Sequence, residues 1–548
     1  MGSENVHVHE ETHATPETGT GQLNGHPPAE DWKPPKIHIS TNMTATVNVT
    51  EAAIIDLPGG PHLYQRARHL CRIAHGRQPP KWLNRPADAP TIIDADPVAL
   101  RELANQGAVF LKFDRRSERW LPALPPEWVI ATLQKRTRWD FPYLEGIICA
   151  PTLRPDGVLV AHPGYDQETG LFFDTCGVAF PSLPAHPTKD EAIDALSDLG
   201  EVFVDFPFAA EHDRSATLAA TISLVARYAV SGCVPLFAVQ STTRGSGKGL
   251  LVNAIATICT GRTAPNWPQV EDQDEERKRL LTLGLDGDAC ILIDNITQPL
   301  GSAPLDSALT SRTYKDRLLG VHKSVEVPMN AVFFASGNNL TYKSDTARRV
   351  LPIKLAPLME KPEERTGFQH MPLLAWVRQE RPRLVVAALT AVKAYFTAGC
   401  PPQGVTQFGS FEEWSDLVRQ ALIWAGQADP CEGRKNIEAE SDAGYEALAT
   451  LLQAWQACYE TRAYTLKHAV QDIATRAVET PSAVTPANEW NELSDALSAF
   501  DSRYDGKRLD VRRVGNGLKG IEGRVIGDRQ LIRDGAYQGV ARWRVKAV

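Results

Sequence analysis

Pro235-Leu-Phe-Ala-Val-Gln240 runs into Ser241-Thr-Thr-Arg-Gly-Ser-Gly-Lys248-Gly249, and the amphipathic run Leu250 to Ile258 follows at once. An apolar run that stops at a glycine-rich turn and restarts as a helix predicts strand, loop and helix. In that arrangement successive backbone N–H groups and a helix N-terminus converge on an anion. Gly245, Ser246, Gly247, Lys248 and Gly249 are the candidate nucleotide-binding residues, with the Lys248 ammonium reaching the outer phosphates. Two positions depart from the usual pattern. Thr242 stands where a glycine is usual, and Gly249 stands where a Mg²⁺-binding Ser or Thr normally follows the lysine. Taken alone, the same turn also suits an ordinary strand-to-helix connection.

Working outward, Ala289-Cys-Ile-Leu-Ile-Asp294-Asn295 begins a second apolar strand, with Asp294 placed 46 residues after Lys248. A carboxylate at the end of such a strand is where Mg²⁺ is held in a phosphate-loop ATPase; the alternative is a core strand that stops at a polar turn. Asn295 occupies the place of the acid that would polarise an attacking water. An amide orients water but takes no proton, so hydrolysis is expected to be slow or to use another base. Asn330-Ala-Val-Phe-Phe-Ala-Ser-Gly337-Asn338-Asn339 is a third apolar strand, and Asn338 at its end is a candidate to hold a γ-phosphate or its water. Arg348-Arg349 precede a fourth, Val350 to Leu355. An arginine so placed either lines a solvated edge or reaches a neighbouring subunit's phosphates.

The order of these parts resembles the ATPase core of superfamily 3 helicases, an AAA+-type fold, and most closely the primase-helicase ATPases of prophages and plasmids. The strings Leu292-Ile-Asp-Asn-Ile296, Pro299-Leu-Gly-Ser302, Asp316-Arg-Leu-Leu-Gly320, Phe334-Ala-Ser-Gly-Asn-Asn-Leu340 and Asp345-Thr-Ala-Arg-Arg-Val350 carry the likeness. Phe411-Glu-Glu-Trp-Ser-Asp-Leu-Val-Arg419 and Ala428-Asp-Pro-Cys431 resemble the helical continuation in the same proteins, and Leu63-Tyr-Gln-Arg66 and Pro163-Gly-Tyr-Asp166 their accessory region. The likeness covers roughly 37–475 and is strongest over 233–357. It implies that Lys248 is the Walker A lysine, Asp294 the Walker B metal carboxylate, Asn338 the first sensor and Arg348 or Arg349 an arginine finger. It further implies ATP and Mg²⁺ as cofactors, DNA as partner and a hexameric ring whose sites are completed by the next subunit. In such rings a hairpin projects cations into the channel. Here that segment is Tyr314 to Pro328, with Lys315, Arg317, His322 and Lys323 in or beside the tip. A merely solvated surface hairpin is the alternative.

The 548 residues carry 58 Lys+Arg against 66 Asp+Glu, a net charge of −8, and 43% are hydrophobic. Mean hydropathy is −0.26. These values exclude collagen-like, wholly disordered and membrane-spanning classes. Nine Cys without a C-x-x-C pair point to a reducing, cytoplasmic compartment rather than a disulfide framework or a common zinc site. The first 30 residues lack the apolar region of a secretory signal. Charge is unevenly spread: residues 1–50 hold six acids and two bases, and residues 501–548 hold twelve bases and six acids. A basic tail therefore sits on an acidic body.

The fold expected is α/β, in five parts. These are a disordered acidic arm (1–36), an α+β accessory domain (37–187), a P-loop ATPase core with leading helices (188–370), a helical section (371–479) and a basic winged-helix-like module (480–548). Thr188 with Glu191 predicts a capped helix start, and a second helix is expected over roughly 211–230. In the tail, helices are expected over Asn488 to Phe500 and Val511 to Ile521, followed by two strands joined through Asp534-Gly535. Arg512, Arg513, Lys519 and Arg524 are candidates for phosphate contacts, against a docking face for an acidic partner. His7, His9 and His13 read as part of a solvated arm. The function expected is an ATP-dependent DNA helicase or replication-initiation motor of a mobile element, acting on single-stranded or forked DNA. The alternative is a nucleotide-gated DNA-binding scaffold with little hydrolysis, which Gly249 and Asn295 favour.

Overall fold

The computed structural model describes residues 32–75, 89–317, 324–359, 361–435, 437, 443–476, 489–501, 503–504, 508–519 and 521–547. His7, His9 and His13, most of the acidic arm, the 480–487 linker, and His322 and Lys323 therefore lie outside the described residues.

The accessory region is α+β. One three-stranded sheet comprises β1 (Lys36–His38), β5 (Val109–Asp114) and β6 (Arg119–Ala123), and helices α1 (Met43–Ile55), α2 (Pro97–Gly107) and α3 (Glu127–Lys135) pack on it. A second sheet is made of β2 (Tyr64–Arg66), β3 (His69–Ala74) and β4 (Thr91–Asp94). Short strands follow: β7 (Gly146–Ile148), β8 (Thr152–Leu153), β9 (Leu159–Val160), β10 (Gly164–Asp166) and β11 (Leu171–Phe173). Arg66, 4% exposed, fixes this region to the core: Nη1 donates to Leu144 O at 3.0 Å and Nη2 to Gly284 O at 2.6 Å. A buried guanidinium is tolerated here because carbonyl acceptors meet both of its terminal nitrogens.

Helix α4 (Lys189–Gly200) starts at the expected capping box, in which Thr188 and Glu191 satisfy each other's backbone N–H. Helix α5 (Glu211–Val225) leads into the central sheet. This is a five-stranded sheet of β12 (Leu236–Ser241), β13 (Asn266–Pro268), β14 (Cys290–Ile296), β17 (Val332–Asn338) and β18 (Val350–Leu355), in the order β13-β14-β17-β12-β18 with every pair parallel. A parallel sheet is covered on both faces, which is why these strands read as unbroken apolar runs. Phe237 and Val239 of β12 enter the core with α4, α5, helix α6 (Lys248–Thr260) and helix α10 (Leu373–Thr397). Leu236 and Ala238 enter the opposite core with helices α7 (Gln273–Asp286) and α8 (Ala303–Thr310) and the hairpin of β15 (Thr313–Arg317) and β16 (Ser324–Pro328). Between β17 and β18 lies the single turn α9 (Ser344–Ala347).

The expected boundary at 480 runs through a core rather than between cores. Leu451 and Trp455 of helix Ala443–Tyr459 and Ala469 of helix Leu466–Arg476 are packed with Leu493, Val514, Leu531 and Trp543. The two helices before the Thr/Pro/Ser-rich stretch thus belong with those after it, Glu489–Ser498 and Val511–Lys519. With them goes a sheet of β19 (Tyr464–Thr465), β20 (Val525–Ile526), β21 (Arg529–Tyr537) and β22 (Val540–Ala547), in the order β19-β22-β21-β20. The tail hairpin also turns elsewhere than expected. Gln538 (φ 49°) and Gly539 (φ 77°) make the turn, while Asp534-Gly535 forms a bulge inside β21. A two-residue hairpin needs positive φ at both central positions; Gly535 spends its positive φ on the bulge instead.

Among the described residues, no helix is long and apolar enough to cross a membrane.

Candidate functional site

Strand β12 lies between β17 and β18, so its C-terminal end opens at the point where the chain order of the sheet reverses. Crevices in open parallel sheets form there. The loop after β12 makes its turn with Gly245 (φ 71°) and Gly247 (φ 85°), left-handed conformations that glycine adopts without strain. Gly247 caps α6, and Lys248 is its first residue. The first-turn N–H groups of any helix lack intrahelical acceptors, so this loop presents backbone donors and a cation together.

Three side chains converge on that opening. Lys248 Nζ donates to Asn338 Oδ1 at 2.8 Å, to Ser246 Oγ at 3.2 Å and to Thr243 O at 3.4 Å. Register explains the first contact, because Ser241 at the end of β12 pairs with Asn338 at the end of β17. One strand further, Ile293 of β14 pairs with Ala335, and a register shift between Ile293 and Ile296 pushes Asp294 and Asn295 out of the ladder. Asp294 Oδ1 accepts from the Ser336 hydroxyl and from Asn295 N, the latter at 2.9 Å. Asp294 Oδ2 accepts from Asn266 Nδ2 of β13 at 3.4 Å. Asn295 takes φ 55°, a conformation that Asn tolerates better than branched residues. Burial pushes the Lys248 amine below its ordinary value, and the Asp294 carboxylate works in the opposite direction.

Sequence reasoning placed Lys248, Asp294, Asn295 and Asn338, and all four stand at this one sheet edge. It missed Ser336 and Asn266. Ser336 carried a readable signal: it precedes Asn338 by two positions, so both point to the same side of β17. It also missed Phe206, whose ring lies against the loop; a Cβ at Gly247 would meet it at 3.3 Å.

Arg348 and Arg349 stand apart from this edge. Val350 pairs with Leu236 at the start of β12, and Leu236 N donates to Arg349 O at 3.0 Å. The length of the six-residue β12, about 16 Å, therefore separates them from the end that carries the loop. Arg349 is held within its own chain, with Nη1 3.1 Å from Asp306 Oδ1 and 2.7 Å from Asp345 O. Arg348 has its side chain 73% exposed and, among the described residues, pairs with Asp345 at 2.6 Å.

Lys315 and Arg317 are exposed on β15, whose opposite face buries Tyr314. Glu326 is the register partner of Lys315 and so tempers its charge. In the C-terminal module Arg512, Lys519 and Arg524 are exposed. Arg513 instead turns inward, with Nε 2.5 Å from Asp501 Oδ1 and Nη1 3.7 Å from Asp510 Oδ2.

No family model matches the chain, and no curated protein does. Among solved structures, the A-form apo C-terminal region of NrS-1 aligns over 82% of this chain and 99% of its own, at 12% identity and a TM-score of 0.37. SCCmec type IV Cch, described as an active helicase, aligns over 90% of this chain and 98% of its own, at 12% identity and a TM-score of 0.31. JCV helicase aligns over 44% and 68%, at 12% identity and a TM-score of 0.19. Likenesses this loose leave function to be judged from the site itself.

Proposed function

We propose that this chain is an ATP-dependent DNA motor of the helicase type, binding Mg²⁺-ATP at the edge formed by β12, β14 and β17. The observation that carries the reading is the convergence of Lys248, Asn338 and Asp294 beside a glycine turn that starts a helix. A cation, a water-orienting amide and a carboxylate in that order suit a nucleoside triphosphate, its hydrolytic water and its metal. The donor set fits the ligand: loop N–H groups and Lys248 meet phosphate oxygens, and Asp294, held by Ser336, meets a hydrated cation. Bound Mg²⁺ supplies charge neutralisation at the outer phosphates.

The chain's own residues divide the remaining work. Lys248 leaves Asn338 for the phosphates and stabilises charge that builds there. Asn338, released from the amine, orients water. Asn295 accepts no proton from that water, so turnover is modest. Arg348 lies at the opposite end of the strands from its own chain's loop, so it serves the loop of another copy. This favours a ring in which each site is completed by its neighbour, and a hexamer is the closed form we expect. The β15–β16 hairpin offers Lys315 and Arg317 to a DNA backbone without reading bases, with His322 and Lys323 assigned by sequence alone to its tip. The C-terminal helices and two-stranded wing offer Arg512 and Lys519 as a second contact, in the manner of a winged helix. The primase-helicases of mobile elements are the class whose motifs this sequence resembles, and replication of such an element is the proposed setting.

ATP turnover with and without single-stranded DNA, on wild type and Lys248→Ala, tests the reading. DNA-stimulated hydrolysis that disappears in the variant is expected. A rate that is indifferent to DNA and equal in the variant overturns the motor. Tight ATP-dependent DNA binding without turnover would favour the scaffold instead.

A further inference from the structure

The far end of α6 carries chemistry that the nucleotide site does not use. Just beyond Thr260, Arg262 directs its guanidinium at two sulfurs of the accessory region. Nη1 donates to Cys149 Sγ at 3.7 Å and Nη2 to Cys176 Sγ at 3.6 Å, so one guanidinium holds both sulfurs. Sheet register brings them together. Cys149 directly follows β7, and Cys176 lies in the turn after β11; these strands are parallel partners, with Phe173 opposite Ile148. The turn is fixed by Cys176 N donating to Asp174 Oδ1 at 2.8 Å and by φ 52° at Cys176, a left-handed conformation that costs a non-glycine residue energy. Both cysteines are partly exposed.

The same place is tied to the base of α6. Arg381 of α10, 2% exposed, donates from Nε to Ile258 O at 3.0 Å. Its Nη2 donates to Cys259 O at 2.7 Å and to Cys149 O at 2.5 Å. One guanidinium thus binds the last carbonyls of the helix that begins with Lys248 and the main chain of Cys149.

We propose that Cys149 and Cys176 form an oxidant-sensitive dithiol, with Cys176 the attacking thiolate, Cys149 the resolving thiol and a hydroperoxide the co-substrate. Arg262 stabilises the thiolate, and thiolate character makes a cysteine reactive. The neighbouring Cys149 thiol and the Arg262 guanidinium bring Cys176 down to about 6, while Cys176 and burial push Cys149 well up. In the first step Cys176 sulfur attacks one oxygen of hydrogen peroxide: an S–O bond forms, the O–O bond breaks, and hydroxide leaves as water after taking a proton. In the second, Cys149 sulfur attacks the sulfenic sulfur, forming S–S and breaking S–O, and the departing hydroxide takes the Cys149 proton. Two thiols are oxidised, one peroxide is reduced, and two waters result. The disulfide holds no anion for Arg262, so the contact that clamps the base of α6 weakens and nucleotide affinity at the other end falls. This last step alone rests on the reading of Lys248 as a nucleotide ligand.

The test treats the full chain with limiting hydrogen peroxide and maps cysteines by peptide mass. A Cys149–Cys176 bridge that forms ahead of modification at the other seven cysteines is expected. Cys149→Ser should stop at a sulfenic acid that dimedone traps on residue 176. At neutral pH, iodoacetamide should alkylate Cys176 about 10-fold faster than an ordinary thiol. Oxidation spread evenly over all nine cysteines, or a bridge between other positions, overturns the dithiol, and wild-type mapping decides this even where a variant misfolds. Binding of a fluorescent ATP analogue should weaken about fivefold on oxidation and recover with reductant. Unchanged binding in a bridged sample overturns only the coupling to α6. Binding that ignores Lys248→Ala identifies failure of the nucleotide reading instead.

Discussion

Lys248 Nζ and Asn338 Oδ1 lie 2.8 Å apart although 90 residues separate them, because the loop that leads to Lys248 leaves β12 at Ser241, the register partner of Asn338 at the end of β17. The pair makes the two residues separable by experiment. Lys248→Ala should weaken ATP binding by more than about 10-fold, since a phosphate-facing cation is lost. Asn338→Ala should leave binding within about threefold and lower turnover about 100-fold, as expected for a group that acts mainly in the transition state. Equal effects on both constants in both variants would contradict the division of roles.

Under the proposed function, Gly249 leaves Mg²⁺ short of the hydroxyl that usually follows the lysine. A Cβ built there meets nothing within 4 Å, and the position lies in an ordinary helical turn, so Gly249→Thr should fold normally. It should lower the Mg²⁺ concentration for half-maximal turnover about threefold or more by adding an oxygen ligand. Ser336→Ala should move the same constant upward, because Asp294 then loses the hydroxyl that orients it. A Mg²⁺ titration of both variants reads the two opposite signs.

The two arginines should fail in different ways. Arg348→Ala removes an exposed side chain, so thermal stability should hold while turnover falls about 10³-fold, the scale of a lost arginine finger. Arg349→Ala strips Asp306 of its guanidinium and should lower the unfolding temperature by a few degrees. Mixing Lys248→Ala with Arg348→Ala subunits tests the shared site: partial recovery of turnover is expected from rings that pair an intact loop with an intact arginine. If no mixture recovers activity, the arginine does not act across subunits.

The candidate site's sheet edge was legible because parallel strands, buried on both faces, appear as apolar runs whose polar ends mark the sheet edge. Gln240-Ser241, Asp294 and Asn338 each stood at such a transition. Their lateral order was not legible, since nothing local says that β17 rather than β14 adjoins β12. Asn266 went unread because β13 has only three residues and no apolar run. The tail turn was misplaced because Asp534-Gly535 carries the stronger hairpin signal, yet the sheet uses that glycine for a bulge. The boundary at 480 failed for a different reason: polar composition marks a connection, but only long-range packing of Trp455 against Leu493 and Trp543 shows which cores it connects. Both cysteines of the Arg262 cluster were invisible, because 27 residues separate them and no spacing rule joins them.

The hairpin carries a prediction about salt. Lys315→Ala with Arg317→Ala should weaken single-stranded DNA binding without sequence preference. The slope of log affinity against log salt should become shallower by about 0.7 for each phosphate contact removed. Tyr314, Val325 and Val327 hold the opposite face in the core, so the double variant should keep its fold. An unchanged slope at lowered affinity would place these cations away from the backbone.

Arg513 should matter for stability and not for DNA. Its guanidinium, with the N–H groups of Asp510 and Arg503, holds the Asp501 carboxyl down to about 2, below the ordinary value of about 3.9. A carboxyl lowered on folding stabilises the native state above its unfolded value, and the contribution is lost as pH falls toward the folded value. Arg513→Ala should therefore speed hydrogen exchange in the Val511–Lys519 helix at pH 7. Compared with wild type at matched pH, that difference should narrow below about pH 4 and close only below about pH 2, where the Asp501 carboxyl is protonated in both proteins. The salt slope for DNA should stay at the wild-type value, whereas Arg512→Ala, which removes an exposed cation from the same helix, should make it shallower. A pH-independent difference would mean that Arg513 acts through packing, and an altered slope would return it to the DNA surface.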